Sequence, residues 1–313
     1  MKHLVAILAH KNGAHLELLI GECEKRGYNV LLHLDAKCRH KLLANHPNLK
    51  KYVIADANSV TRAHFSIVEA TVSLLKASRS FDYDYFHLIS GEDYPTKSEL
   101  LFNDFFTRNS EKNFINHIAF PVNKYEQKRS SLFEKYTVFR DRVPLSNYKH
   151  AFFKNGIGLV DTYHFKPGSM AAKISSILTP TYQLRKLYQR IFKRKLPKVK
   201  YYGGSAWFSI TKQMAEYFVE QTEENSSFYK YFNNALFPDE VYFHTLALNS
   251  QLKDTVINSD LRYINWDKPI NQGPSLLTKE HISEIKNSNG FFARKCDIAS
   301  NIQLKNAIES QLY

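Results

Sequence analysis

Cysteine is scarce in this chain, and its cysteines lie far apart. The three positions are Cys23, Cys38 and Cys296. Their odd number and wide spacing give neither a disulfide framework nor the spacing of a cysteine-bound metal site. We therefore expect a protein of a reducing compartment, the cytoplasm.

Long apolar runs are missing as well. The run at residues 4–9 is too short for the core of a signal peptide, and no cleavage-type site follows it. No stretch approaches the roughly 20 apolar residues that a membrane-spanning helix needs. These absences predict a protein that is either soluble or bound peripherally to the inner face of the plasma membrane.

Acidic residues are few relative to basic ones, 30 against 43, which gives a formal net charge of +13. The segment 163–211 contains no acidic residue. Such a charge favours polyanionic partners, namely nucleotide diphosphates, nucleic acid or an anionic membrane. Residues 182–195 predict a basic amphipathic helix, which is typical either of a solvated surface or of contact with anionic lipid through residues 182–200.

The chain does contain a regular alternation of short apolar strands and amphipathic helices. Strands are predicted at 4–8, 28–34, 52–55, 85–89, 113–120 and 261–266, and helices at 14–26, 66–77, 100–106 and 211–223. This alternation indicates an α/β protein with a mainly parallel central sheet flanked by helices. We expect a single domain, 1–313, with a nucleotide-binding half (1–110), an acceptor and catalytic half (111–313) and a basic helical insertion at about 165–200.

Polar residues stand where the predicted strands end. His10 follows the first strand, Asp35 the second, and the loop 90–95 the fourth. Ligands of open α/β sheets bind beyond the carboxyl ends of the strands, so these residues predict one binding site. Plainer interpretations remain open, with His10 as a turn residue and Asp35 as a helix cap.

Two acidic pairs could suggest a metal. Asp82 and Asp84 form an Asp-x-Asp sequence, but they precede the fourth strand and so lie at the wrong end for a ligand site. We interpret them as a solvated turn. Glu92 and Asp93 follow that strand and could bind a metal on position alone.

A further candidate is Pro238-Asp239-Glu240, which opens an apolar, aromatic run. Proline suits the first turn of a helix, and carboxylates are favourable there. Our hypothesis is that Asp239 caps the helix and Glu240 acts as a base; the alternative is that both only cap.

In Gly203-Gly204-Ser205-Ala206-Trp207 the glycines permit close backbone approach, and Trp207 fits either a pocket floor or the core.

The motifs occur in a characteristic order. They are AHK (9–11), HLD (33–35), FSIVEA (65–70), FHLISGEDYP (86–95), GSAW (204–207), PDE (238–240), LRYI (261–264) with Trp266, and FARK (292–295). In this order the chain resembles the core-2/I-branching β-1,6-N-acetylglucosaminyltransferase family (glycosyltransferase family 14), which includes peptide O-xylosyltransferases. The extracellular members carry many disulfides and a membrane anchor, so this chain looks like a bacterial, cytoplasmic member.

The resemblance implies a GT-A-like, Rossmann-type domain that transfers a sugar from a UDP-sugar with inversion and without a divalent metal. It makes Glu240 the catalytic base. It assigns UDP-sugar binding to Leu8, Ala9, His10, Asp35, Arg62, Arg262 and Lys295, with Arg262 and Lys295 on the diphosphate. It places Lys135 and Trp207 toward the acceptor, and it makes Asp93 either structural or acceptor-facing.

The implied donor sugar is N-acetylglucosamine, and the implied acceptor is a glycan such as lipo-oligosaccharide or capsule. Many relatives have an aromatic residue at the position of Arg62, so xylose or another hexose stays open. A protein of another class, with a degenerate fold that binds anionic lipid or nucleic acid, is the alternative. Nucleic acid is disfavoured because the positive charge is concentrated in one segment without a recognition motif.

Overall fold

The computed structural model describes residues 1–61, 64–119, 199–224, 228–229, 232, 238–266 and 274–313. The strands are β1 (His3–Ala9), β2 (Asn29–Leu34), β3 (Tyr85–Ser90), β4 (Asp93–Pro95), β5 (Asn113–Ile115), β6 (Ile118–Ala119), β7 (Tyr202–Gly203), β8 (Phe208–Thr211), β9 (Val256–Ile257), β10 (Arg262–Ile264) and β11 (Phe292–Arg294). The α-helices are α1 (Gly13–Lys25), α2 (Ala36–Asn45), α3 (Ser66–Ser78), α4 (Glu99–Arg108), α5 (Lys212–Glu224), α6 (Tyr242–Leu248), α7 (Ile282–Asn287) and α8 (Ile302–Gln311).

The main sheet has six strands in the order β2–β1–β3–β8–β5–β9. Neighbouring strands are parallel except at β8, which is antiparallel to both β3 and β5. A smaller sheet has the order β10–β11–β4, and β6 pairs with β7. The reversal at β8 brings the segment that enters this strand to the edge where β3 ends.

The central strands are buried on both faces, as parallel strands between helices must be. Leu4 and Ala6 of β1 belong to one core, while Val5 and Ile7 belong to the other. Helices α3, α5 and α6 cover the first face, and α1, α4, α7 and α8 cover the second. This confirms the predicted α/β class with a mainly parallel sheet, and the arrangement is consistent with a GT-A-like fold.

Some predicted elements differ from those observed. The strand predicted at 52–55 is reduced to a bridge between Val53 and Leu32, because a 3-10 helix (Pro47–Tyr52) occupies the preceding residues. The strand predicted at 113–120 is divided into β5 and β6, since the main chain of His117 bonds to the side chain of Asn258 instead of a strand.

Other predictions fall outside the part of the chain that the structure describes. These are the basic helix at 182–195, Arg62 and Lys135. Among the described helices, none has the length and apolar character needed to cross a bilayer.

Gly204 lies in a tight contact between three segments. A Cβ atom at this position would lie 1.8 Å from the carbonyl oxygen of Asn116 and 2.8 Å from Cδ2 of His244. The main-chain N–H of Gly204 also donates to the carbonyl of Glu240 at 2.8 Å. The glycine therefore sets how closely the turn that carries Glu240 approaches the sheet.

We expect Gly204→Ala to lower the free energy of unfolding by about 3 kcal/mol or more, because the backbone oxygen cannot move aside cheaply. Gly21→Ala is the matched control: it lies inside α1 with nothing within 4 Å of an added Cβ. That change should stabilise the protein by up to about 1 kcal/mol through helix propensity. Urea denaturation of both variants checks this, and equal stabilities would contradict the packing described.

Candidate active site

The carboxyl ends of the three parallel strands are tied together by main-chain hydrogen bonds. The N–H of Gly91 donates to the carbonyl of Leu8 at 2.8 Å, and the N–H of Asp35 donates to that of Ala9 at 2.9 Å. A Cβ at Gly91 would lie 2.7 Å from Cβ of Ala9, so glycine is needed for this approach. The segments after β2 and β3 therefore both start beside the end of β1.

A cluster of charged side chains lies at this edge. Nζ of Lys11 is 2.9 Å from Oε1 of Glu92, and Nζ of Lys295 is 3.2 Å from Oε2 of the same carboxylate. We call Lys11, Glu92 and Lys295 the clasp. Burial works to raise the pKa of the Glu92 carboxyl, but the hydrogen bond from Lys11 and the charge of Lys295 outweigh it and hold that pKa below its ordinary value.

His10 lies beside the clasp. Partial burial and then the charge of Lys11 lower its pKa, while Glu92 and Asp35 act in the opposite direction. His10, Asp35 and Glu92, which the sequence placed at three different strand ends, are thus close enough to influence the charge of His10. Leu8 is half-buried and Ala9 is buried at the end of β1.

Asp35 is the N-cap of α2. Its carboxylate accepts a hydrogen bond from the N–H of Lys37 at 3.0 Å, and Nζ of Lys37 lies 3.4 Å away. The structure therefore confirms the plainer interpretation, a helix cap. A contact of Asp35 with the nucleotide stays a prediction.

Asp93 is fully buried beneath the site. Its Oδ2 accepts the N–H of Ser90 at 3.0 Å, and its Oδ1 lies 3.3 Å from Nε of Arg294. Burial raises the pKa of Asp93 despite the charge of Arg294. In this position the carboxylate joins β4 to β11 and does not face the solvent where an acceptor would bind. Of its two predicted roles, the structural one matches the geometry.

Trp207 is half-buried, and the guanidinium of Arg294 stacks on it with Cζ 4.4 Å from the ring centroid. The indole also packs against the core between the sheet and α3. One of its surfaces is thus covered, and a role as a sugar platform stays a prediction.

Arg262 lies inside the protein, with 5% of its surface exposed. Its Nη2 donates to the carbonyls of Leu88 (2.8 Å) and Phe208 (3.2 Å), and its Nη1 donates to Oγ of Ser209 (3.3 Å). Burial lowers its pKa to about 10. A contact with diphosphate, as the sequence predicted, would require the guanidinium to leave these partners, which join β3 to β8.

Pro238–Glu240 forms a 3-10 turn, and α6 starts only at Tyr242. The residue before that helix is Val241, which makes no side-chain capping bond, so the prediction that Asp239 caps the helix is wrong. The carboxylate instead lies against the backbone N–H groups of Asp239 and Glu240, with Oδ1 buried and without a hydrogen-bond partner. Burial raises the pKa of Asp239 to about 6.

The register of β8 connects this turn with the clasp. Phe208 lies opposite Leu88, so residues 204–207 run alongside and past the carboxyl end of β3. Glu240 is hydrogen-bonded to Gly204 through its carbonyl, and Trp207 contacts Arg294 next to Lys295. The predicted base and one predicted phosphate-binding cation therefore belong to the same edge of the sheet.

Sequence reasoning missed two features of this edge. Lys11 was named only within the AHK motif (9–11), although its place just beyond a strand end was a usable signal. His244 is buried behind Gly204, with Nε2 2.9 Å from the carbonyl of Ser205, and burial lowers its pKa to about 3. No sequence pattern distinguishes this histidine from a surface one.

The acidic pairs do not form a metal site in the described part of the chain. Asp82 and Asp84 bind the side chain and the main-chain nitrogen of Lys2, at the opposite end of β3, as the sequence predicted. Within the described ranges there is no group of three or more His, Cys, Asp or Glu side chains that could hold a metal ion. Metal independence itself stays a prediction.

The raised pKa of Asp239 predicts how stability changes with pH. A folded-state pKa of about 6 against an ordinary value of 3.8 means that the native state holds the proton more tightly, so stability is lost as pH rises from about 4 to about 6. Asp239→Asn should match the wild type near pH 4 and exceed its stability by roughly 2 kcal/mol at pH 8. Urea denaturation at pH 4, 6 and 8 measures this. The exposed Asp254→Asn serves as control, and a pH-independent difference for Asp239→Asn would contradict the expectation.

Substitutions of Arg262 and Lys295 should have different effects on stability and on UDP binding. Arg262→Met should cost about 3 kcal/mol or more of stability, because buried carbonyls lose their donors. Lys295→Met should change stability by less than about 1 kcal/mol, since its ion pair is partly exposed, but should weaken the binding of UDP. Calorimetric titration with UDP and urea denaturation test both. If Arg262→Met keeps full stability and loses only UDP affinity, its guanidinium faces the ligand.

Comparison with known proteins supports the motif order. The model of the Core-2/I-Branching enzyme family matches residues 12–286. Two beta-glucuronosyltransferases of Arabidopsis thaliana are similar: one is 28% identical over 251 residues (78% of this chain, 47% of its own), and the other is 26% identical over 267 residues (81% and 51%). A xylosyltransferase of Ciona intestinalis is 26% identical over 144 residues (40% of this chain, 16% of its own).

The chain spans about half the length of the two plant relatives. The family match, in contrast, covers most of the present chain and includes all of α1, the loop after β3, the turn at Glu240 and β10. The protein belongs to the Core-2/I-Branching enzyme family.

Proposed function

We propose that this protein is a glycosyltransferase that moves a sugar from a UDP-sugar to a hydroxyl group of a glycan, with inversion at the anomeric carbon and without a divalent metal. The observation that carries the proposal is the presence of two groups at the same edge of the sheet. One is the turn that bears Glu240, and the other is the pair of lysines in the clasp. This pairs a candidate base with cations for a leaving group.

The donor would bind beyond β1 and β2, where open α/β sheets take nucleotides. Leu8, Ala9 and His10 line the end of β1 there, and Asp35 begins the next helix. Lys295 is suited to the diphosphate because its side chain is partly exposed while its main chain is held. The N–H of Leu277 donates to the carbonyl of Lys295 at 2.8 Å.

In the transfer, Glu240 would accept the proton of the acceptor hydroxyl as that oxygen attacks the anomeric carbon from the face opposite UDP. The new bond is between the acceptor oxygen and the anomeric carbon, and the bond from that carbon to the phosphate oxygen breaks. The electron pair leaves with UDP. The lysine ammonium groups would stabilise the charge that develops on the leaving diphosphate, which is the task a metal ion performs in other enzymes.

The proposal specifies the nucleotide of the donor, UDP, and leaves the sugar open. The Arabidopsis relatives are named for glucuronosyl transfer and the Ciona relative for xylosyl transfer, while the sequence predicted N-acetylglucosamine. All three sugars fit the proposed chemistry, because the base and the diphosphate contacts do not depend on the sugar substituents. A glycan acceptor such as lipo-oligosaccharide or capsule, and contact with an anionic membrane through residues 182–200, remain predictions of the sequence.

The test uses a panel of UDP-N-acetylglucosamine, UDP-xylose and UDP-glucuronate, with release of UDP as the readout. Glu240→Gln should reduce turnover with the active donor by about 10²–10⁴-fold, because the amide cannot accept the proton. UDP affinity, measured by calorimetry, should be unchanged because the diphosphate is bound by other residues. Glu216→Gln is the matched control, since Glu216 pairs with Arg79 on the surface.

Three outcomes would contradict the proposal. Turnover retained in Glu240→Gln would remove this residue from the role of base. Activity lost in chelator and restored by manganese would refute metal independence. Absence of UDP binding to the wild-type protein would refute a UDP-sugar donor.

A further inference from the structure

The clasp holds a carboxylate between two ammonium groups at the edge where the proposed donor binds. Glu92 is 14% exposed in its side chain, compared with 26% for Lys295 and 52% for Lys11. Each carboxylate oxygen faces a different lysine. Lys11 and Lys295 are far apart in sequence, and both pair with the same carboxylate, that of Glu92.

The position of Glu92 is fixed by its main chain. Its N–H donates to Oγ of Ser90 at 3.1 Å, and its carbonyl accepts the N–H of Cys296 at 2.7 Å. These bonds place Glu92 between the loop after β1 and the end of β11 whether or not its side chain is charged. The lysine ammonium groups, in contrast, stand on long flexible stems that can reorient.

Electrostatics makes Glu92 and a diphosphate compete. A carboxylate that neutralises the lysines in the empty site becomes a like charge next to a bound diphosphate, and like charges disfavour each other's ionised forms. The diphosphate carries more negative charge and more acceptor oxygens than the carboxylate. Both lysines can therefore transfer their hydrogen bonds to it, at the expense of their contacts with Glu92.

We propose that Glu92 is an internal competitor of the diphosphate for Lys11 and Lys295, and that Lys11 is a further diphosphate-binding residue. In the empty site the clasp is closed on Glu92. When the nucleotide binds, the ammonium groups turn to the phosphate oxygens, and when UDP leaves they return to Glu92. This inference rests on the proposed function and extends it to the release of product.

The competition predicts opposite effects for two substitutions in the clasp. Glu92→Gln keeps the shape but removes the charge, so the affinity for UDP should rise by about tenfold. Lys11→Met should lower it by a similar factor because one cation is lost. Glu24→Gln is the matched control. Glu24 also pairs with a lysine, Lys51, at a distance of 2.8 Å, and this pair is not part of the site. It should leave UDP affinity unchanged.

A second readout follows from the release step. With the active donor, UDP should inhibit Glu92→Gln more strongly than the wild type, by about the same tenfold factor. A carboxylate that merely held the lysines in place would give the reverse, because its loss would weaken UDP binding. Urea denaturation confirms that each variant is folded before titration.

Titration with inorganic pyrophosphate separates this inference from the proposed function. If UDP binds the wild type but Glu92→Gln does not raise the affinity for UDP, the proposed competition is overturned while the proposed function stands. If UDP does not bind but pyrophosphate does, and Glu92→Gln raises the affinity for pyrophosphate, the proposed competition is supported and the UDP-sugar donor is refuted. If neither ligand binds, both proposals are overturned.

Discussion

The carbonyl groups at the end of β1 hold the candidate site together. Leu8 and Ala9 accept main-chain hydrogen bonds from Gly91 and Asp35, so the loops after the neighbouring strands start from one place. Side chains on those loops lie close together because the main-chain hydrogen bonds fix where each loop begins. A glycine at position 91 is the condition for this, since any side chain there would collide with Ala9.

The site uses its positive charges in two different ways. Arg262 and Arg294 are inside, where they bind carbonyls, a carboxylate and aromatic rings and connect the two sheets. Lys11 and Lys295 are at the surface of the same edge, on flexible stems. Planar guanidinium groups suit fixed multiple contacts, and lysines suit contacts that must be exchanged. This division follows from side-chain chemistry, and it distinguishes structural cations from those available to a ligand.

Much of the fold could be predicted from local patterns. Continuous apolar runs identified β1 and β3, and strand-helix alternation identified the parallel sheet, because both depend on residues close in sequence. Arg262 could not be placed, since a pattern such as LRYI does not say whether the arginine points into the protein or out of it. Asp239 failed as a cap because Val241 separates its turn from the helix, a matter of one residue that periodicity does not resolve. The clasp depends on residues 11, 92 and 295, and only the folded chain joins them.

The short pairing of β6 with β7 has a consequence for how such a protein can change. Ile118 lies opposite Gly203 and Ala119 lies opposite Tyr202, so residues that are far apart in sequence are paired here. The closure entropy of a long connection grows only slowly with its length once its ends are held together. The pairing fixes both ends of the connection between these strands, so a change in its length need not move Gly204 or the turn that Gly204 holds. The length of the sequence between residues 119 and 202 is therefore only weakly constrained by the described sheet.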